Sequence, residues 1–277
     1  MIPFDFEYYR PASVMEAVEL FQHLHTQGKN PVYYSGGTEI ITRARRNLIQ
    51  PRAVVDLKSI PECGVMEFHK DQLVIGSCVT LSVLSAANPF PLLSEASQGV
   101  ADQTARNKIT IGGNISGIIH YREAVLPLLL ADSHVLIAGQ EGMKEVAIHE
   151  VFKEQLKLNS GEFLVQIKTD RLYVSLPYFH AKKRLIGNVA YPLVTLAAMR
   201  KDDQIRVAFS GVCAFPFRSA AIEQVLNDPM LSLKEKIDRA VEKLPAQVVS
   251  NAEGSAAYRE FVLKLTLEEA LDSLGGR

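Results

Sequence analysis

Cysteine is scarce in this sequence, and what there is falls outside any metal-binding pattern. The three cysteines, Cys63, Cys78 and Cys213, include no Cys-x-x-Cys pair, so the chain alone carries no motif for a zinc ribbon or an iron–sulfur cluster. Their scatter reads as buried thiols of a reducing compartment, and a cytoplasmic protein is expected. The seven histidines contain no His-x-x-x-His pair, so no metal site is expected. Long apolar runs are also missing. The richest, Val125 to Ala131, is far too short to span a bilayer. No sign of charge dominates: 30 Lys and Arg against 31 Asp and Glu leave a formal net charge of −1, and no global field draws the chain to nucleic acid or anionic lipid. Met1 to Glu7 lacks a basic n-region followed by an apolar h-region, so no signal peptide is expected. Repeats, low-complexity tracts and flexible linkers are absent.

What is present is an ordinary globular composition, 47% hydrophobic and 22% charged over 277 residues, enough for two domains or one large one with a substantial core. Within it stand two glycine-rich loops. Thr110-Ile111-Gly112-Gly113-Asn114 puts two glycines between short polar side chains, and Ser35-Gly36-Gly37-Thr38-Glu39 repeats that chemistry directly after an apolar run. Glycine permits φ > 0 and close backbone approach, while hydroxyls and bare backbone N–H groups are what a phosphorylated ligand requires. A tight turn satisfies the same composition, and Thr38 also serves as a simple helix cap.

Read in order, Ser13 with Glu16 three residues on is a capping-box signature. Ala17, Val18, Phe21 and Leu24 follow at helical spacing, with Gly28 as the stop. Pro31 to Tyr34 predicts a strand, Ile40 to Leu48 a helix with Thr38 as its N-cap, and Ala53 to Leu57 a buried strand, together a small βαβ unit. Met66–Phe68 and Leu73–Ile75 predict a hairpin. Thr80 caps a helix through Ala86, a longer helix runs from about Leu92 to Thr104, and another covers Glu123 to Ala131 with Pro127 near its start or kinking it. Val135–Ala138 and Phe163–Ile167 predict strands. In the last region, Leu193–Met199 and Ile205–Cys213 predict a hairpin, followed by helices over 218–226, 232–244 and 258–274. The fold class expected from these elements is α+β.

With both loops placed, the chain resembles the FAD-binding (medium) subunit of molybdenum hydroxylases, such as bacterial xanthine dehydrogenase and aerobic carbon monoxide dehydrogenase. The resemblance is carried by Ser35 to Glu39, by Arg106-Asn107 shortly before Thr110 to Asn114, by Leu128-Leu129-Leu130-Ala131-Asp132, and by Gly211 to Arg218 with Glu223. It implies a vanillyl-alcohol-oxidase (PCMH-type) FAD-binding fold over residues 1–168, with subdomains of about 1–58 and 59–168. It also implies a C-terminal domain over 169–277 containing a three-stranded antiparallel sheet with a helix bundle. By the same resemblance Ser35, Gly36, Gly37, Thr38 and Glu39 would hold the FAD pyrophosphate, and Thr110, Gly113 and Asn114 the phosphate and ribityl region. Relatives commonly carry Ser-Pro-x-Ser-Asp after the second loop. Here the stretch is His120-Tyr121-Arg122-Glu123, with Glu123 at the aspartate position as a ribityl contact or a solvated first-turn carboxylate.

The resemblance implies a redox relay, with electrons passing from iron–sulfur clusters through FAD to NAD or another acceptor. The iron–sulfur and molybdopterin-binding sites would belong to partner chains of a hetero-oligomer, and no general acid or base is assigned. A carbon monoxide dehydrogenase-like medium subunit, a self-contained flavin oxidase of the same fold and a non-enzymatic module whose glycine loops are turns are the competing readings. Lys182-Lys183-Arg184 reads as a solvated basic face, with an acceptor or flavin-edge role the alternative by the resemblance, Arg106 as a surface or packing residue with FAD contact the alternative, and Tyr8, Tyr9, Tyr33 and Tyr34 as packing aromatics.

Overall fold

A computed structural model describes residues 2–187 and 190–275. The chain divides into two compact units, each assembled from separated stretches. The first takes the residues up to Ala87, Gln103–Gly117 and Ser133–Arg171, and the second takes Asn88–Asp102, Ile118–Asp132 and the residues from Leu172 on.

The first unit holds two sheets. Strands β1 (Glu7–Tyr9), β2 (Val32–Tyr34) and β3 (Ala53–Asp56) form a parallel sheet in the order β1-β3-β2. The helix Val14–Thr26 supplies Val14, Ala17, Val18 and Leu24 to a core shared with Ala53 and Val55 of β3 and with Ala138, Phe163 and Val165. Complete burial of a Val or Leu side chain contributes about 1.5–3 kcal/mol, so this one helical stripe anchors the unit. Ser13 Oγ accepts the Glu16 N–H, as a capping box requires, but the Glu16 carboxylate accepts from Ala12 N at 2.7 Å instead of Ser13 N. Gly28, at φ 72°, closes the helix in the left-handed conformation that favours glycine.

Strands β4 (Met66–His69), β5 (Gln72–Gly76), β6 (His134–Gly139), β7 (Gly142–Ala147) and β8 (Phe163–Asp170) form an antiparallel sheet ordered β4-β5-β8-β6-β7. The sequence predicts β4, β5, β6 and β8 but not β7. That strand is a polar edge, its Lys144 paired with Glu162 at 2.5 Å, and charged edge strands carry no apolar alternation.

The second unit is built on β9 (Tyr178–Arg184), β10 (Pro192–Lys201), β11 (Gln204–Ser210) and the two-residue β12 (Phe217–Arg218), antiparallel in the order β12-β11-β10-β9. β10 and β11 are the expected hairpin, whereas β9, over the basic run, was not placed by the sequence, and β12 makes the sheet four-stranded where three strands were expected. Asp202 and Asp203, at φ 50° and 60°, make the β10–β11 turn. Helices Ala220–Leu226, Leu233–Glu242 and Ala256–Ser273 pack over the sheet, and Leu196, Val207, Phe209, Ile222, Ile237, Leu263, Leu267 and Leu271 share one core. Ser219, Ser232 and Ser255 cap them, Ser232 and Glu235 as a complete capping box.

The single helix expected from Leu92 to Thr104 is instead two. Pro91–Gln98 ends at Gly99, Ala101 takes φ 46°, and Gln103–Arg106 starts anew in the other unit. Glu123 to Ala131 becomes the helix Val125–Leu130, with Pro127 in its first turn.

Candidate functional site

Both glycine loops lie in the first unit. The apolar β2 delivers the chain to Ser35, and Gly37 at φ 70° turns it into the helix Thr38–Arg45. Gly37, and not Thr38, is therefore the N-cap. Thr38 is already helical, and its carbonyl accepts the Thr42 hydroxyl at 2.8 Å. A Cβ on Gly37 would lie 2.1 Å from the Tyr34 ring, so space and conformation both demand glycine here. The first-turn N–H groups of such a helix have no intrahelical acceptor and face outward, which suits an anionic group.

The second loop is not an open turn. Ile111–Ser116 is helical, neither Gly112 nor Gly113 has positive φ, and Thr110 is the N-cap, its Oγ1 accepting from Gly113 N at 3.2 Å. The tight turn that the composition also allowed is not formed, because Thr110 caps a helix that the two glycines permit. The glycines serve close approach instead. A Cβ on Gly112 would lie 2.5 Å from Ser77 Cβ, whereas one on Gly113 would meet only Thr110 Oγ1, at 3.0 Å. The Gly113 N–H is already satisfied by Thr110, so this residue offers space in place of a donor.

Three junctions knit the loops together. Ser35 Oγ donates to Thr110 Oγ1 at 3.1 Å. Gly36 lies so close to Lys108 that a Cβ would sit 2.0 Å from the Lys108 carbonyl oxygen, and the Glu39 carboxylate reaches the end of the second helix, 2.6 Å from where a Gly117 Cβ would be. Next to this joint Asn114 is buried, 8% exposed, and its Oδ1 has no hydrogen-bond partner among the described residues. A buried acceptor without a donor is costly, and a ligand hydroxyl would satisfy it. Seven of the expected residues, together with Asn114, thus converge: Ser35, Gly36, Gly37, Thr38, Glu39, Thr110 and Gly113.

Behind the first loop stands a group the sequence reading missed. Lys58 Nζ donates to the Ser35 carbonyl at 3.1 Å and to both Asp56 oxygens at 2.8 Å, and it lies 4.5 Å from the Tyr34 ring centroid. Tyr8 also donates to Asp56. Burial would raise the Asp56 pKa, but the bonds from Lys58 and Tyr8 outweigh it and hold the carboxyl below its ordinary value. Burial and the same bond push Tyr8 up to about 12. The available signal was a charged residue closing a buried Val-Val-Asp strand. Tyr33 packs as expected between Phe21 and Phe163, at 4.5 and 4.6 Å, and Arg106 bonds Gln103 at 2.9 Å.

Glu123 lies in the second unit and is not the solvated carboxylate of one expectation. It is 1% exposed and pairs with Lys182 Nζ at 2.5 Å. The basic run is not a solvated face either. Side chains alternate along β9, so Lys182 turns inward to Glu123 and the Gly99 carbonyl (2.8 Å), and Arg184 also reaches Gly99 O (3.0 Å). Lys183 points the other way, to Glu269 at 2.7 Å. The later motif residues form a structural network. Asp132 accepts from Arg206 at 2.5 Å and Arg218 at 2.6 Å, and Arg218 is also paired with Glu223 at 2.7 Å.

No helix among the described residues is long and apolar enough to cross a membrane, and no group of three or more His, Cys, Asp or Glu among them is placed to hold a metal ion. Residues 4–169 match the family model described as the FAD binding domain in molybdopterin dehydrogenase. The carbon monoxide dehydrogenase medium chain of Hydrogenophaga pseudoflava is 26% identical over 290 aligned positions, covering 100% of this chain and 99% of that protein. Caffeine dehydrogenase subunit beta of Pseudomonas sp. strain CBB1 is 27% identical, covering 94% and 97%. Among solved structures, carbon monoxide dehydrogenase from Hydrogenophaga pseudoflava lacking the Mo-pyranopterin moiety superimposes with a TM-score of 0.85 at 25% identity over 99% of both chains. A match over more than half the chain, on the stretch that contains both glycine loops, shows that this protein belongs to the family of FAD-binding domains of molybdopterin dehydrogenases.

Proposed function

We propose that this chain is the FAD-binding electron-transfer subunit of a multi-subunit, xanthine dehydrogenase-like molybdenum hydroxylase of the cytoplasm. It would work beside an iron–sulfur subunit and a molybdopterin-binding subunit and pass electrons to NAD or another acceptor. The observation that carries the reading is the joint between the two glycine loops, where outward first-turn N–H groups, an open glycine and an orphaned buried acceptor meet. Ser35 to Glu39 would hold the pyrophosphate, with Gly36 and Gly37 letting the backbone come close and Lys58 adding positive charge behind Ser35. Thr110 orients the second loop, Gly113 keeps its surface clear, and Asn114 would accept from a ribityl hydroxyl. Glu123, committed to Lys182, is left out of this clamp. Bound FAD supplies a two-electron carrier, and the protein supplies position and electrostatics.

A carbon monoxide dehydrogenase-type medium subunit is the second reading, favoured by the full-length similarity to that chain. The test is the visible absorption spectrum of the purified chain before and after FAD addition and removal of excess. Retained flavin bands support the assignment. No retained flavin, alone or with the iron–sulfur partner, refutes it. Reduction of NAD by the assembled complex, compared with that of an artificial acceptor, tests the electron route.

A further inference from the structure

Two of the three cysteines oppose each other beneath the loops. The β4–β5 hairpin pairs Met66 with Ile75, Glu67 with Val74 and Phe68 with Leu73. Before the hairpin the chain makes the short helix Pro61–Gly64, which folds Cys63 back against the residues that follow β5. Gly76 N donates to Val65 O at 2.7 Å, and Cys78 N donates to Cys63 O at 2.8 Å. A single backbone N–H···O=C bond of that length holds the two Cα atoms within roughly the 4.4–6.8 Å that a disulfide spans. Both thiols are free, and Cys78 packs against the core that contains Cys63.

The two differ in reactivity. The neighbouring Cys63 thiol holds the Cys78 thiol below the ordinary range, while Cys78 and burial push Cys63 up. Cys63 is fully buried and Cys78 half-buried. Cys213 lies in the other unit, its thiol donating to Ala246 O at 3.4 Å and raised by burial to about 11, so it serves as an internal control. Cys78 also sits inside the strap that holds the loops. Its thiol is held low in part by the nearby Ser35 hydroxyl, Gly112 N donates to Ser77 O at 3.0 Å, and Ile111 N donates to Val79 O at 2.9 Å.

We propose that Cys78 and Cys63 are a dithiol that peroxide oxidises to a disulfide at the base of the cofactor loops, with Cys78 as the attacking thiol and Cys63 as the resolving one. The Cys78 thiolate attacks hydrogen peroxide, and with one proton taken up gives Cys78 sulfenic acid and water. The Cys63 thiol then attacks that sulfur, forming the S–S bond and releasing a second water. The two thiols lose two electrons and two hydrogens, and the peroxide takes both up. The disulfide removes the Cys78 contact with Ser35 and so loosens the loop joint. This last consequence rests on the proposed FAD site, whereas the dithiol does not.

The test treats the full reduced chain with hydrogen peroxide and follows intact mass, peptide map and retained flavin. Expected are a loss of two hydrogen masses and a Cys63–Cys78 cross-linked peptide that dithiothreitol reverses. Cys63→Ser, or Cys63→Ala should serine destabilise the core, leaves a dimedone adduct on Cys78, and Cys78→Ser gives neither product. Cys78 left unmodified, or a cross-link containing Cys213, overturns the proposal. Oxidised chain should retain less FAD through gel filtration, and unchanged retention would overturn the coupling to the loops. Disulfide formation in a chain that binds FAD in neither state supports the dithiol and counts against the functional assignment alone.

Discussion

Adding one side chain at each of two glycines separates the cofactor site from the scaffold that holds it. At Gly113 a new Cβ meets only Thr110 Oγ1, at 3.0 Å, so the hydroxyl must give by a few tenths of an ångström. Valine there also replaces glycine at a helical position, which is roughly neutral or favourable to the backbone. Gly113→Val should therefore keep its stability within about 1 kcal/mol. On the proposed site its two methyls would enter the space of the FAD chain. Overfilling a fitted site costs about 1–3 kcal/mol, which is roughly a 5- to 150-fold rise in Kd at about 1.4 kcal/mol per tenfold. Gly36→Ala should behave in the opposite way. Its Cβ would lie 2.0 Å from the Lys108 carbonyl oxygen, a backbone atom that cannot swing aside, so the loops must part at a folding cost of about 2–4 kcal/mol. Flavin fluorescence titration and thermal denaturation of both variants read the two effects. A folded Gly113→Val that binds FAD as tightly as the parent would refute the location of the site. A Gly36→Ala of parental stability would refute the geometry of the joint.

Thr110→Ala removes both the cap on Gly113 N and the acceptor for Ser35, and should cost about 1 kcal/mol of stability together with weaker FAD retention. Calorimetry showing no change would mean the cap is idle. Glu123→Leu leaves Lys182 buried without its counter-charge, a loss of about 3–5 kcal/mol for breaking a buried pair, and an unchanged denaturation midpoint would sink the pairing. Asp56 has a folded pKa below its unfolded value, so its stabilisation is present above the ordinary aspartate range and is lost as pH falls through the lowered value. Asp56→Asn should flatten that acid limb in denaturant melts from neutral pH downward, and a superimposable pH profile would contradict the Lys58–Asp56–Tyr8 linkage.

The sequence by itself determined the parts whose physics is local. Apolar spacing in Ala17, Val18, Phe21 and Leu24 and the hydroxyls of Ser13 and Ser232 each specify an element within a few residues, and the structure has them there. The two glycine loops were legible because their composition is unusual wherever it occurs. What the glycines do was not legible. Gly112 and Gly36 are required by atoms of Ser77 and Lys108, which no local pattern reveals, and the second loop became a capped helix. The inward turn of Lys182 follows from strand alternation against a distant partner, so charge alone misread the basic run. The meeting of Cys63 and Cys78 likewise needed the short helix Pro61–Gly64 folded back on the residues after β5. Spacing along the chain is set by covalent geometry, but proximity between distant segments is set by packing, and only the tertiary structure decides which side chains share a site.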